Sequence, residues 1–251
     1  MAQPKNEIFQ YSIVSCLMDG VASSGMPVVD LLKHGDLGLG TFKHMVGEMI
    51  MLDGAMFQMK SDGSIVPISA NPESTANDDG TNPMISPFAT VTRFEPTVHN
   101  PSVSFSSKDS LAKKLSEMLP GTRNIFMAFR ADGVFNLTVR TAAGQQCPRE
   151  PLVAVSSRQT MHTFKNERGT IVGFRSPGFS HGISVAGDHI HFISEDRKRG
   201  GHVLALDTGE GSVSLGVAPI SKVHLQLPVD DEEYNEAELK LDSEGINAVE
   251  G

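Results

Sequence analysis

Three histidines in the second half of the chain have the spacing of a metal site. His189 and His191 are separated by a single residue. His202 follows after the polar stretch 195–201, which can turn the chain. Side chains alternate along a strand, so the first two imidazoles would lie on one face about 7 Å apart, with His202 returning beside them on the next strand. Three neutral imidazoles that leave one position open are the ligands of a catalytic zinc ion, which acts as a Lewis acid. The spacing predicts a zinc site.

The alternative for these histidines is a polar sheet face without a metal. The alternation would then still direct Ile190 and Phe192 into the core, but the imidazoles would have no common function. A third histidine on a return strand favours the metal site over this alternative. The remaining six histidines are scattered and are expected at the surface or in loops: 34, 44, 99, 162, 181 and 224.

Two charged residues on other predicted strands could take part in chemistry. Arg140 lies on a polar strand face, which by itself is more typical of a solvated residue. Glu48 alternates with Ile50 and Leu52, so its carboxylate falls on an apolar face. A carboxylate is rarely buried without a partner, and a metal or an arginine would be one. The pattern alone leaves Glu48 open between a site residue and a strand edge.

The elements that must position these residues indicate an α+β fold of two related halves. Each half reads as a short helix packed on a mixed or antiparallel sheet. Residues 1–104 form the first half, with a long Pro/Asn-rich loop at 67–101, and residues 105–228 form the second half, with the metal site on a hairpin. Residues 229–251 form an acidic tail. The 24 glycines and 14 prolines agree with a turn-rich, strand-rich chain.

Charge and composition exclude several classes of protein. The tail has nine acidic residues and one lysine, so it carries −8 of the net charge of −9 and the body is almost neutral. A body without a positive field is not expected to bind nucleic acid. No apolar run has the roughly 20 residues of a membrane span. Two cysteines and no signal-peptide pattern predict a cytoplasmic protein. No phosphate-binding glycine motif or nucleophile elbow is present.

At this point the sequence resembles the α-acetolactate decarboxylase family. The stretch from Gly173 to Leu204, which contains the three histidines, is similar to the family signature almost from end to end. The blocks Gly40-Thr-Phe, Gly47-Glu-Met-Ile-Met-Leu-Asp-Gly54 and Val139-Arg-Thr141 resemble its other motifs in the same order. The resemblance extends from about Tyr11 to the C-terminus.

The resemblance implies a zinc-dependent carboxy-lyase of acetoin biosynthesis that converts (S)-2-acetolactate to (R)-acetoin and CO2, with zinc stabilising the enediolate. The family's zinc ligands fall on His189, His191 and His202. Its active-site arginine and glutamate fall on Arg140 and Glu48.

Further residues follow from the same resemblance. The family's substrate-contacting threonine falls on Thr41. Its C-terminal glutamate falls on Glu250, with Glu244 as a rival, in a tail that folds back toward the site. The resemblance also implies a homodimer that acts on a small molecule, 2-acetolactate.

Two other functions compete with this one. A cupin-like metal-dependent oxygenase or isomerase would use His189, His191 and Glu195, but it leaves His202 without a role. A non-catalytic binding module stabilised by metal would hold its ion in a closed site with a fourth protein ligand.

Overall fold

The computed structural model describes residues 4–69, 84–239 and 245–246. A seven-stranded sheet forms its first layer. Its neighbours are antiparallel, except that the last strand in the chain lies parallel to the first. In spatial order the strands are β15 (Val223–Gln226), β1 (Ile8–Tyr11), β8 (Ala89–Thr92), β3 (Leu37–Thr41), β4 (Glu48–Leu52), β5 (Ala55–Met59) and β6 (Ile65–Ile68).

The second layer is a six-stranded antiparallel sheet. In spatial order it contains β11 (Thr160–Ser176), β12 (Gly187–Ser194), β13 (Gly200–Thr208), β10 (Phe126–Thr141), β14 (Val213–Ile220) and β9 (Val98–Val103). The long strand β10 also pairs with β11, which closes the first four strands into a ring. A separate two-stranded ribbon joins β2 (Met26–Pro27) to β7 (Ile85–Ser86).

Five helices accompany the sheets in the described residues. They are α1 (Val14–Met18), α2 (Val28–Leu31), α3 (Lys108–Met118), α4 (Leu152–Ser156) and α5 (Glu232–Glu236). The side chain of Ser107 caps the N-terminus of α3, and α3 buries Leu111 and Leu115 against the outer face of the second sheet. Within the described residues as a whole, no helix is long and apolar enough to cross a membrane.

The sheets pack against each other through one hydrophobic cluster. The strand alternation determines its members: on β4, Ile50 and Leu52 point into this layer, whereas Met49 and Met51 point to the outer face. The second sheet contributes buried residues of the same kind. These are Ala128, Val172, Phe174, Ile193 and Ile220. The layer between the sheets is therefore dry along most of its length.

The predicted mixture of helix and sheet is confirmed, and one detail differs from the predicted organisation. The predicted loop over 67–101 is wrong in part, because it contains β7, β8 and the start of β9, and all four residues of β8 are buried. Prolines at 87 and 96 flank β8, and prolines are typical of loops, which is why the sequence predicts a loop here. Residues 70–83 of that stretch lie outside the described residues.

The division into halves at residue 104 stays a prediction, and two strands lie across it. Strand β9 comes before residue 104 but belongs to the second sheet, and β15 follows the second sheet in the chain but belongs to the first. Each sheet thus contains a strand from the other part of the chain.

Candidate metal centre and active site

The three predicted histidines lie together at one end of the space between the sheets. His191 on β12 is the register partner of His202 on β13, and His189 lies two residues before His191 on the same strand face. Their exposed fractions are 7% for His189 and 0% for the other two. One nitrogen from each ring lies within 4.8 Å of the others. The group is buried and could hold a metal ion.

The opposite face of β12 shows why the histidines point inward as a set. Ile190 and Phe192 belong to the core of the second sheet, as the alternation predicted. Ile193, on the same face as the histidines, packs in the layer between the sheets. The histidines therefore take the place of core residues at this end of the layer.

Burial keeps the imidazoles of His189 and His202 neutral, which is the form that binds a metal. Loss of solvent, together with the nearby positive charge of Arg140, lowers the pKa of His189 to about 3. The same causes hold the pKa of His202 well below the usual value.

A backbone contact orients the third ring. His191 Nδ1 lies 2.7 Å from the carbonyl oxygen of Met49 on β4, in the facing sheet. A carbonyl only accepts, so this nitrogen carries the proton and Nε2 presents its lone pair. A histidine held in this way has one tautomer and a fixed ring direction, as metal-binding histidines generally do.

A buried ion pair lies beside the histidines. Arg140 Nη1 donates to Glu48 Oε1 at 3.1 Å, and the side chains are 2% and 7% exposed. The other carboxylate oxygen of Glu48 is 3.7 Å from His191 Nε2. Arg140 is the register partner of His202, which places the guanidinium next to the histidine group. Arg140 is therefore not a solvated strand residue, and the carboxylate on the apolar face of β4 has an arginine as partner.

Thr41 reaches the same place from the neighbouring strand. It is the register partner of Glu48, and its hydroxyl donates to the carbonyl of Gly47 at 2.8 Å. Thr41, Glu48 and His189 line a small pocket. Its apolar lining was not predicted. This lining consists of Val14, Leu17, Phe88 and Val185, which come from three separate segments.

The acidic tail contacts the body near this pocket. The Leu239 amide donates to Asp19 Oδ2 at 2.7 Å, and the hydroxyl of Ser24 donates to the carboxylate of Asp231. Ile246 is fully buried in a cluster that includes Val14, Leu17 and Val185. The predicted site residue Glu250 and its rival Glu244 lie outside the described residues.

The competing metal schemes do not match this geometry. Glu195, the ligand of a cupin-like site, is exposed in the turn after β12. Over residues 4–69, 84–239 and 245–246, the group at this place that could hold a metal ion consists of three histidines. A closed site needs a fourth protein ligand.

Three of the other six histidines make contacts away from this group. The ring of His34 stacks on Phe9 at 3.6 Å between centroids, and His99 is exposed on β9, where it contacts Ser214. His224 pairs with Glu7 at 2.7 Å.

Comparisons with known proteins identify the family of the chain. A sequence model of the alpha-acetolactate decarboxylase family matches residues 8–241. The alpha-acetolactate decarboxylase of Bacillus subtilis (strain 168) is 35% identical over 227 residues, which are 90% of this chain and 83% of that protein. The corresponding protein of Methanosarcina mazei is 37% identical over 233 residues, 92% of this chain and 75% of that protein.

Solved structures give the same result. The crystal structure of alpha-acetolactate decarboxylase from Bacillus subtilis strain 168 superposes with a TM-score of 0.87 at 33% identity, and the match covers 98% of this chain and 99% of that chain. The resemblance found in the sequence is confirmed, and the chain belongs to the alpha-acetolactate decarboxylase family.

Proposed function

We propose that this protein converts (S)-2-acetolactate to (R)-acetoin and CO2. One observation carries the proposal: a buried histidine group lies beside the buried Arg140–Glu48 pair, in a chain that belongs to the alpha-acetolactate decarboxylase family. Such a site offers neutral nitrogen ligands, a carboxylate-binding cation and an acid–base group in one water-poor place.

The metal that we propose is zinc, held by His189, His191 and His202. The donor set fits this ion, because zinc accepts imidazole nitrogen readily and its catalytic sites commonly have three protein ligands. When bound, zinc supplies a Lewis acid for the negative charge that develops on the substrate as CO2 is lost. Imidazole also suits copper, iron and nickel, so elemental analysis of protein purified without added metal tests the choice.

Arg140 is proposed to bind and orient the substrate carboxylate. A guanidinium has five N–H donors in a planar fork, so it can hold Glu48 and a second carboxylate together. Its burial at 2% exposure strengthens that contact, because little water competes for it. Thr41 is proposed to contact the substrate from β3.

The reaction requires one bond to break and one proton to be added. The bond between the carboxylate carbon and the hydroxyl-bearing carbon breaks, and its electron pair remains on the substrate as an enediolate while CO2 leaves. A proton is then added to that carbon on one face, which yields acetoin. Glu48 and Glu250 are the proposed proton carriers, with Glu244 as the rival of Glu250.

Conversion of racemic acetolactate by metal-replete protein tests the function. We expect a single enantiomer of acetoin, identified by chiral gas chromatography, together with release of CO2. Arg140→Lys keeps a positive charge but loses the bidentate fork, so we expect a large fall in turnover with the zinc content unchanged. A protein that binds zinc but forms no acetoin would contradict the proposal.

We further propose a cytoplasmic homodimer. The free thiols Cys16 and Cys147 agree with a reducing compartment. The outer strand β15 exposes Leu225, and Leu227 follows it, with 39% and 40% of their surfaces accessible. An edge strand with exposed apolar residues can pair with a second copy. Sedimentation equilibrium checks the dimer.

A further inference from the structure

The pocket beside the histidines is lined by polar and by apolar side chains. Thr41, Glu48 and His189 are the polar ones. We call the four hydrophobic ones the apolar wall: Val14, Leu17, Phe88 and Val185. Each of the four is at most 4% exposed. A molecule that enters this pocket therefore meets both kinds of side chain.

Hydrogen bonds fix the position of the wall. Val14 and Leu17 are three residues apart on α1 and so share one helix face. The amides of Val14 and Ser15 donate to Ile183 and Gly182 at 3.1 Å each, which ties α1 to the loop that carries Val185. The wall is therefore held by backbone contacts from two separate segments.

The fourth wall residue is fixed from the first sheet. The Thr41 amide donates to the carbonyl of Phe88 at 3.1 Å. A Cβ added at Gly40 would lie 2.3 Å from the same carbonyl oxygen, so only glycine permits this close approach. The position of Phe88 relative to Thr41 is thus set by the backbone.

The substrate of the proposed function, on which this inference rests, matches this lining. It carries a carboxylate, a hydroxyl and a ketone together with two methyl groups. If the oxygens contact the histidines, Arg140 and Thr41, the apolar wall is what remains for the methyl groups. We propose that the apolar wall receives the alkyl groups of the substrate and that Leu17 limits their size.

The test compares the natural methyl substrate with its homologue in which an ethyl group replaces the methyl group on the hydroxyl-bearing carbon. The quantity measured is the ratio of kcat/KM for the ethyl substrate to that for the methyl substrate. One methylene in a hydrophobic pocket changes such a ratio by roughly 10- to 200-fold. We expect Leu17→Ala to raise the ratio about tenfold, because the variant makes room for the extra methylene.

Leu152→Ala is the matched control. Leu152 lies in the same hydrophobic cluster as Leu17 and is also 4% exposed, but it does not line the pocket. The two variants lose the same atoms from the same cluster, so general loosening would affect both. We expect the Leu152 variant to keep the ratio of the unchanged protein within about twofold.

A binding measurement separates this inference from the proposed function. The dihydroxy acids in which the ketone of each substrate is reduced cannot lose CO2 in the same way, and calorimetry gives their relative affinities. A protein that forms no acetoin but binds these acids with the expected Leu17 dependence would contradict the proposed function and support the wall. The proposal for the apolar wall would be overturned if Leu17→Ala changed neither the kcat/KM ratio nor the relative affinities. An equal rise of the ratio in Leu17→Ala and Leu152→Ala would also overturn it.

A second variant covers the case in which Leu17→Ala does not fold. Val185→Ile adds a methylene to the wall, and we expect it to lower the ratio about tenfold. Circular dichroism verifies that the variant is folded. A Val185 variant with an unchanged ratio would refute the proposal.

Discussion

The buried pair of Arg140 and Glu48 permits a quantitative test of the site. We expect Arg140→Met and Glu48→Gln each to lower the free energy of unfolding by about 3–5 kcal/mol, because each leaves the charge of its former partner buried. The double variant removes both charges, so we expect it to lose less than the sum of the single variants. The difference is the coupling energy of the pair.

The expected coupling follows from the geometry. At 3.1 Å, with an effective dielectric constant of about 20, the attraction is about 5 kcal/mol. The cost of taking each charge out of water cancels in the cycle, because the single variant that keeps the charge also keeps that cost. We therefore expect a coupling energy of about 5 kcal/mol.

The assay is urea unfolding of metal-free protein, followed by circular dichroism because the chain has no tryptophan. The control is the exposed pair Lys114–Glu117, whose 3.0 Å separation is nearly the same but whose side chains are 41% and 49% exposed. We expect the control pair to couple by about 0.5 kcal/mol or less. A value below about 0.5 kcal/mol for the buried pair as well would refute the reasoning.

Three further outcomes are expected. His191→Ala should lose both metal and activity, while the exposed His99→Ala should lose neither; full metal in the first variant, by elemental analysis, would remove His191 from the site. Burial raises the pKa of Tyr11 from 10.0 to about 12, so the stability that Tyr11 contributes is complete below pH 10 and is lost as the pH rises toward 12. The Tyr11→Phe variant should therefore lose less stability between pH 10 and pH 12 than the unchanged protein. Ultraviolet titration of the phenol checks the pKa. Glu250→Gln and a chain that ends at Asn247 should both be slow with the metal retained, and full activity of the truncated chain would exclude a role for the tail end.

The metal group could be predicted from the sequence because its signal is local. The period of two on β12 requires His189 and His191 to share a face and Ile190 to take the other, whatever the sheet packs against. The turn at 195–201 then places His202 on the neighbouring strand. These relations depend on a few consecutive residues.

The burial of Arg140 could not be predicted in this way. Its strand face is polar in sequence, and the face is dry at Arg140 only because β4 covers it and brings Glu48 to the guanidinium. The apolar wall has the same origin, since Leu17, Phe88 and Val185 meet only after both sheets have packed. Contacts between distant segments produce no periodic pattern in the sequence.

The parallel pairing of β15 with β1 also determines when the fold can be completed. Ile8 lies opposite Val223, so one outer strand of the first sheet can be added only after more than 200 further residues have been synthesised. At 5–20 residues per second, synthesis from the end of β8 to the end of β15 takes on the order of ten seconds. During that interval β1 is itself the edge of the sheet, with the apolar residues Ile8, Phe9 and Tyr11 along an unpaired backbone. An unpaired apolar edge is a template for aggregation, so the nascent chain is most vulnerable after β8 and before β15 has been synthesised.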